Sequence, residues 1–97
     1  MSAESNLQAD IRKYLKGKGC YVIKTQPDAR SGAPTGCPDI IFLLEGFWGV
    51  IEVKASPKAP YQPLQKETLE KLGAWSFARR VDPTTWPEVK KELEAIL

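Results

Sequence analysis

IIFLLEGFWGVIEVK, residues 40–54, decides the fold. Residues 40–44 form an unbroken apolar run, Glu45-Gly46 is a turn pair, and residues 48–54 form a second mostly apolar stretch. A connection this short makes the two strands an antiparallel hairpin. Side chains alternate along a strand, so Trp48, Val50, Glu52 and Lys54 share one face while Ile51 and Val53 share the other. Glu52 then has apolar neighbours, and burying an unpaired carboxylate is costly. It needs a lysine, a backbone donor or a metal. Lys54 is displaced by roughly 6.5 Å along the strand, awkward for a direct ion pair but suited to flanking a third group. Counting back from the turn places Asp39 level with Glu52. Two adjacent carboxylates repel, and a divalent cation relieves that repulsion. Each feature alone has a plainer reading: Glu52-x-Lys54 as solvated charges on an edge strand, Asp39 as a turn residue fixed by Pro38.

Working outward, Leu7, Ile11, Tyr14 and Leu15 recur at helical spacing, which predicts a helix from Ser5 to about Lys16, capped by Ser2 or Ser5. KGKG at 16–19 ends it with Gly17 or Gly19, and CYVIK at 20–24 reads as a short strand. The polar tract TQPDARSGAPTGCP, 25–38, is too long for a tight hairpin, and such loops are often functional. After the hairpin, Pro63 fits the opening turn of a second helix whose inner face is Leu64, Thr68, Leu69 and Leu72 and whose end is Gly73. WSFAR at 75–79 is a further strand. In TWPE, 85–88, Thr85 and Glu88 have capping-box spacing, ahead of a stripe of Val89, Leu93, Ile96 and Leu97. The order α-β-β-β-α-β-α is an α/β domain around a small mixed sheet, and residues 1–97 read as one domain.

Composition narrows the chemistry. The chain has no histidine, which excludes serine-histidine triads, histidine-dependent nucleases and the usual zinc patterns. Cys20 and Cys37 are compatible with a disulfide but read as ordinary thiols. The longest apolar run, 40–44, is too short to span a bilayer, and no signal-like start is present, so a reducing cytoplasm is expected. The formal net charge is only +2. Arg12, Lys13, Lys16, Lys18, Lys24 and Arg30 nevertheless face a single acid, Asp28, between residues 12 and 30, which suits either a polyanion partner or a solvated helix face.

Glu4 lies on the same stripe as Leu7 and Ile11, as a first-turn charge favoured by the helix dipole or as a carboxylate aimed inward. Gln65 lies one turn before Leu69, as a core-edge amide or as a polar group reaching into a site. Together these residues suit phosphodiester hydrolysis. Asp39 and Glu52 would hold the cation, and Glu4 would ligate it or orient a metal-bound water. Lys54 would steer the hydroxide or stabilise charge on the phosphorus centre, and Gln65 would bond the water, a phosphate oxygen or Lys54. Oxygen ligands without histidine or thiolate clusters suit Mg2+ or Mn2+. Setting three acids aside as metal-compensated leaves the remaining charge markedly basic, which favours a nucleic-acid backbone.

Residues 36–74, GCPDIIFLLEGFWGVIEVKASPKAPYQPLQKETLEKLGA, resemble the core of the VRR-NUC family of the restriction-endonuclease-like PD-(D/E)xK nucleases. Pro38-Asp39 stands for PD and Glu52-Val53-Lys54 for ExK; Gln65 matches the family's glutamine, Glu4 its amino-terminal glutamate, and Gly36 the glycine before PD. The resemblance implies a restriction-endonuclease-like core and a Mg2+- or Mn2+-dependent nuclease that cuts DNA. It also implies that the Val53 carbonyl completes the metal shell. The chain looks like the stand-alone phage or bacterial kind, similar to archaeal Holliday-junction resolvases, in which a homodimer sets two sites across a four-way junction. The expectation is therefore a structure-selective endonuclease on branched DNA. Two rivals stay open: a non-catalytic DNA-binding or assembly module on the same fold, and a nuclease for flap, nicked or plain duplex DNA. Arg30, Lys24, Lys58 and Lys66 are candidate phosphate contacts. Tyr61 either stacks on a base or packs on the hairpin, Arg79-Arg80 borders the DNA or a partner subunit, and Trp48, Trp75, Phe77 and Trp86 read as core or interface aromatics.

Overall fold

The hairpin forms in the expected register. In the computed structural model, which describes residues 2–25, 32 and 34–97, β2 (Ile40–Leu44) pairs antiparallel with β3 (Phe47–Val53), from Ile40 opposite Ile51 to Leu44 opposite Phe47. Gly46 takes a φ of 78° at the turn, a conformation that costs an L residue. β1 (Tyr21–Lys24) joins β2 antiparallel. β4 (Phe77–Val81) lies parallel to β3, which requires a crossover, supplied by α2 (Gln65–Gly73). With α1 (Ala3–Gly17) and α3 (Trp86–Ile96), this gives the α-β-β-β-α-β-α order of a restriction-endonuclease-like core, around a four-stranded mixed sheet ordered β1-β2-β3-β4.

The core fills one face of the sheet. Leu7, Ile11 and Leu15 of α1 and Val89 and Leu93 of α3 pack against Ile40, Phe42, Ile51, Val53, Phe77 and Val81. Gly49 stands opposite Phe42, and a Cβ there would run into the Phe42 ring. The glycine thus makes room for an aromatic that also meets Phe77 edge-on with centroids 6.0 Å apart. α2 covers part of the other face. It packs on β4 and β3, and Gly73 sits over the Ala78 methyl. The outer face of β1 and β2 is left open, with Tyr21 70% exposed and Ile23 and Leu43 exposed beside it. Among the described residues, no helix is long and apolar enough to cross a membrane.

Several boundaries differ from the sequence reading. Ser2 caps α1, accepting from the Ser5 N–H at 3.1 Å. The strand expected at 75–79 begins at Phe77, because the N–H groups of Ala74, Trp75 and Ser76 satisfy carbonyls of the last turn of α2. Trp75 is consequently 64% exposed, with Lys71 over its ring, and is no core residue. Leu64 does not join the inner face of the second helix. It precedes the helix in a left-handed conformation and is exposed, while Thr68, Leu69 and Leu72 are half-buried. Ile96 is also exposed.

The capping box at 85–88 is not made. The Thr85 side chain does not cap α3; its hydroxyl accepts from the Asp82 N–H at 3.0 Å. Asp82 instead ties the turn that leads into α3, its Oδ1 accepting from the N–H groups of Thr84 at 2.8 Å and Thr85 at 3.2 Å and from the Thr84 hydroxyl. Burial alone would raise the Asp82 carboxyl. The Thr84 and Thr85 hydrogen bonds and the Arg80 charge outweigh it and hold the group below its ordinary 3.8. A depressed folded-state value contributes stability above pH 3.8 that is lost as pH falls through the folded value. Asp82→Ala should therefore cost about 1–2 kcal/mol at pH 7, and urea unfolding at pH 3 should show a smaller gap between variant and wild type.

Candidate active site

The ends of β2 and β3 set the centre of the site. The Ile40–Ile51 pairing, continued by one residue, puts Asp39 beside Glu52, as the turn arithmetic requires. Asp39 Oδ2 accepts from the Val53 N–H at 2.8 Å. Its peptide is fixed from the other side by Thr25, whose N–H donates to the Asp39 carbonyl at 2.9 Å and whose hydroxyl donates to the Pro38 carbonyl at 2.7 Å. In an extended strand a residue's N–H and C=O point the same way. The Val53 carbonyl therefore faces the Asp39 side, where a cation shared with Asp39 would lie.

Glu52 is 1% exposed, and neither of its side-chain oxygens has a hydrogen-bond partner among the described residues. Burial, first, then the Asp39 charge and the chance to share a proton with Asp39, push its pKa up to about 8 against the partial opposition of Lys54. Glu4 adds the smallest of these contributions. It is thus near enough for its charge to be felt, but among the described residues no group of three or more His, Cys, Asp or Glu forms a cluster that could hold a metal ion.

Lys54 is buried, at 7% exposure, and its Nζ donates to Gln65 Oε1 at 2.7 Å. The same oxygen accepts from the Gln62 N–H at 2.6 Å. Gln65 is therefore the polar group aimed inward, not a core-edge amide. Its position depends on a close approach of two loops. Gly36, with a φ of 83°, lies against Leu64, where any Cβ would come within 2.8–2.9 Å of Leu64 backbone and side-chain atoms. Leu64 itself has a φ of 68°, an unfavourable conformation for a branched side chain. Asp39 and Gln65 are thus carried by segments that mesh.

Other residues fall outside this centre. Lys24, Lys58 and Lys66 are exposed, and Arg30 lies outside the described residues. Arg79 is paired with Glu92 at 2.7 Å and lies over Phe77. Cys20 and Cys37 are free. Burial raises the Cys37 thiol, a hydrogen bond to Thr25 opposes this, and the Glu52 and Asp39 charges raise it further, so it stays protonated at neutral pH. Sequence reasoning missed the engagement of Arg80 and Tyr61. The Arg80 guanidinium stands 4.7 Å from the centre of the Tyr61 ring, and Lys54 Nζ stands 6.0 Å from it. No spacing in the sequence links residue 80 to residue 61; a hint lay only in the face that Arg80 shares with Glu52 once β4 is paired.

The donor set fits a hard divalent cation. A buried carboxylate without a partner, a second carboxylate beside it and a carbonyl oxygen facing the same side are oxygen donors, and Mg2+ commonly takes one or two carboxylates and keeps several waters. Without metal, Glu52 has a testable signature. A folded-state value raised from 4.5 to about 8 gives stability that is complete below pH 4.5 and lost as pH rises through about 8. In excess chelator, wild-type melting temperature should fall between pH 5 and pH 9. Glu52→Gln should flatten that fall and melt above wild type at pH 9, a gap on the order of a few kcal/mol.

Comparison with known proteins agrees with the geometry at family level. No curated protein and no solved structure matches the chain. The sequence model of one family, the archaeal Holliday junction resolvases (Hjc), matches residues 3–96, a span that contains all of the elements that build the site. The expected PD-(D/E)xK character thus holds, and the family found is that of the resolvases, not specifically VRR-NUC. The chain belongs to the archaeal Holliday junction resolvase (Hjc) family of PD-(D/E)xK-like nucleases.

Proposed function

We propose that the chain is a Mg2+- or Mn2+-dependent endonuclease that hydrolyses phosphodiester bonds in four-way DNA junctions. The observation that carries the reading is the buried Glu52 carboxylate, without a hydrogen-bond partner among the described residues and beside Asp39, with the Lys54 ammonium held close by. Structural burial of a carboxylate normally comes with a compensating partner. A site that leaves Glu52 without one among the described residues, beside a second acid, suits a charge that arrives from outside.

Asp39, Glu52 and the Val53 carbonyl would hold the cation. A bound Mg2+ or Mn2+ supplies Lewis acidity, lowering the pKa of water and screening phosphate charge. Asp39 is oriented by the Val53 N–H, so it would meet the cation at little cost in reorganisation. Lys54, its Nζ fixed by Gln65, places positive charge where the phosphate oxygens gain negative charge. Glu4, outside the pair, orients the attacking water. Lys24, Arg30, Lys58 and Lys66 contact flanking phosphates, which position the duplex without reading its sequence. The resemblance of residues 36–74 to VRR-NUC nucleases supports the same chemistry.

One chain carries one such centre, and paired incisions across a junction need two. Two copies would pack through the open apolar face of β1 and β2, where Tyr21, Ile23 and Leu43 stand exposed. Sedimentation should show wild type as a dimer and Leu43→Arg shifted toward monomer.

The deciding experiment is cleavage of a labelled four-way junction with Mn2+. Wild type should cut, excess chelator should abolish cutting, and Lys54→Ala and Asp39→Asn should lower kcat by about 100-fold or more while junction binding persists. Binding without cutting by wild type would favour a non-catalytic module. Faster cutting of flap, nicked or plain duplex DNA would move the substrate and keep the chemistry.

A further inference from the structure

Arg80 has no part in the chemistry proposed above, yet its side chain is engaged by one loop through Nη2 and the face of its guanidinium. It stands on β4 next to Glu52 of β3, so it leaves the sheet on the Glu52 face. Its Nη2 donates to the carbonyls of Ala59 at 2.5 Å, Pro57 at 3.2 Å and, at the long limit, Ser56 at 3.4 Å. Its guanidinium also covers the Tyr61 ring at 4.7 Å. Among the described residues it forms no ion pair within 4 Å, although its charge is felt at Asp82; carbonyl dipoles and the Tyr61 ring stand nearest to it.

All of these contacts fall on one stretch, residues 56–61, which forms neither helix nor strand. Within it, the backbone makes a turn bond from the Ala59 N–H to the Ser56 carbonyl at 3.2 Å. One residue beyond the stretch, the Gln62 N–H reaches Gln65 Oε1, the atom that also accepts from Lys54. A continuous path therefore runs from Arg80 through residues 56–61 and Gln62 to Gln65 and the Lys54 ammonium. Only a planar, multi-donor cation can reach several carbonyls and lie against a ring together; a lysine ammonium can reach carbonyls but cannot stack as a plane.

We propose that Arg80 is a positioning residue: it clamps residues 56–61 so that Gln65 holds Lys54 at one place beside Asp39 and Glu52. The inference rests on the nuclease reading. Arg80 acts on the loop and touches neither substrate nor cation. Its loss displaces Lys54 in a site where an error of about 1 Å can cost on the order of 100-fold.

The test compares Arg80→Ala and Arg80→Lys with Arg79→Ala, a neighbouring loss on β4 that breaks the Glu92 contact and leaves the loop alone. Amide hydrogen exchange is measured on metal-free, DNA-free protein, and kcat and KM on a four-way junction with saturating Mn2+. In Arg80→Ala, exchange at residues 55–65 should quicken by about 10-fold or more while β2 amides keep wild-type protection. Its kcat should fall by about 10- to 100-fold, with KM and Mn2+ affinity unchanged. Arg80→Lys should recover little, added methylguanidinium should restore part of the Arg80→Ala rate, and Arg79→Ala should keep kcat. Unchanged loop exchange in Arg80→Ala would overturn the clamp. So would a raised KM with kcat intact, which would make Arg80 a DNA contact, or an equal kcat loss in Arg79→Ala. If wild type cuts no DNA, the nuclease reading falls, and loop exchange alone decides the clamp.

Discussion

Repulsion between Asp39 and Glu52 is the constraint around which this structure is arranged. In water the two carboxylates would separate. Here the hairpin register forbids it, since moving either one would break the strand pairing from Ile40–Ile51 to Leu44–Phe47 and turn a row of core side chains toward solvent. Hydrophobic burial of Ile40, Phe42, Ile51 and Val53 is what forces the charges together. The cost appears in the raised Glu52 carboxyl, so part of the stability gained by the core is held as electrostatic strain at one end of the sheet.

Lys54 and Asp39 manage that strain differently. Asp39 faces the Val53 N–H, a fixed donor that holds its side chain in place. Lys54 could have closed on Glu52 as an ordinary ion pair, but its ammonium is drawn to Gln65 instead. An amide neutralises nothing; it fixes a position. The result is a cationic group adjacent to an acid pair and not spent on it, as a centre meant to receive a phosphate requires.

Much of this was legible in the sequence because it depends on local geometry. Strand alternation and a two-residue turn suffice to place Glu52 and Asp39 side by side, and helical periodicity suffices for Leu7, Ile11 and Leu15. The reading failed where tertiary contacts overrode local pattern. Leu64 looked like the first inner residue of a helix, yet the nearness of Gly36 holds it in a left-handed bend outside the helix. Thr85 and Glu88 have the spacing of a capping box, but the Thr85 hydroxyl is taken up by the Asp82 backbone and the Glu88 N–H goes to the Thr85 carbonyl. Glu4 fitted the core-facing stripe and still stops short of a three-carboxylate cluster among the described residues. Arg80 was unreadable for a simpler reason: its acceptors are backbone carbonyls, which carry no sequence signature.

The contact between Gly36 and Leu64 ties together chain segments on either side of the hairpin. Because a single hydrogen atom at Gly36 already fills the gap, the two segments behave like meshed teeth, and neither has slack of its own. Lengthening the connection ahead of α2, or grafting a different one, would back-drive the peptide that carries Asp39. Attempts to retune this protein by loop exchange must therefore transplant both segments as one cassette.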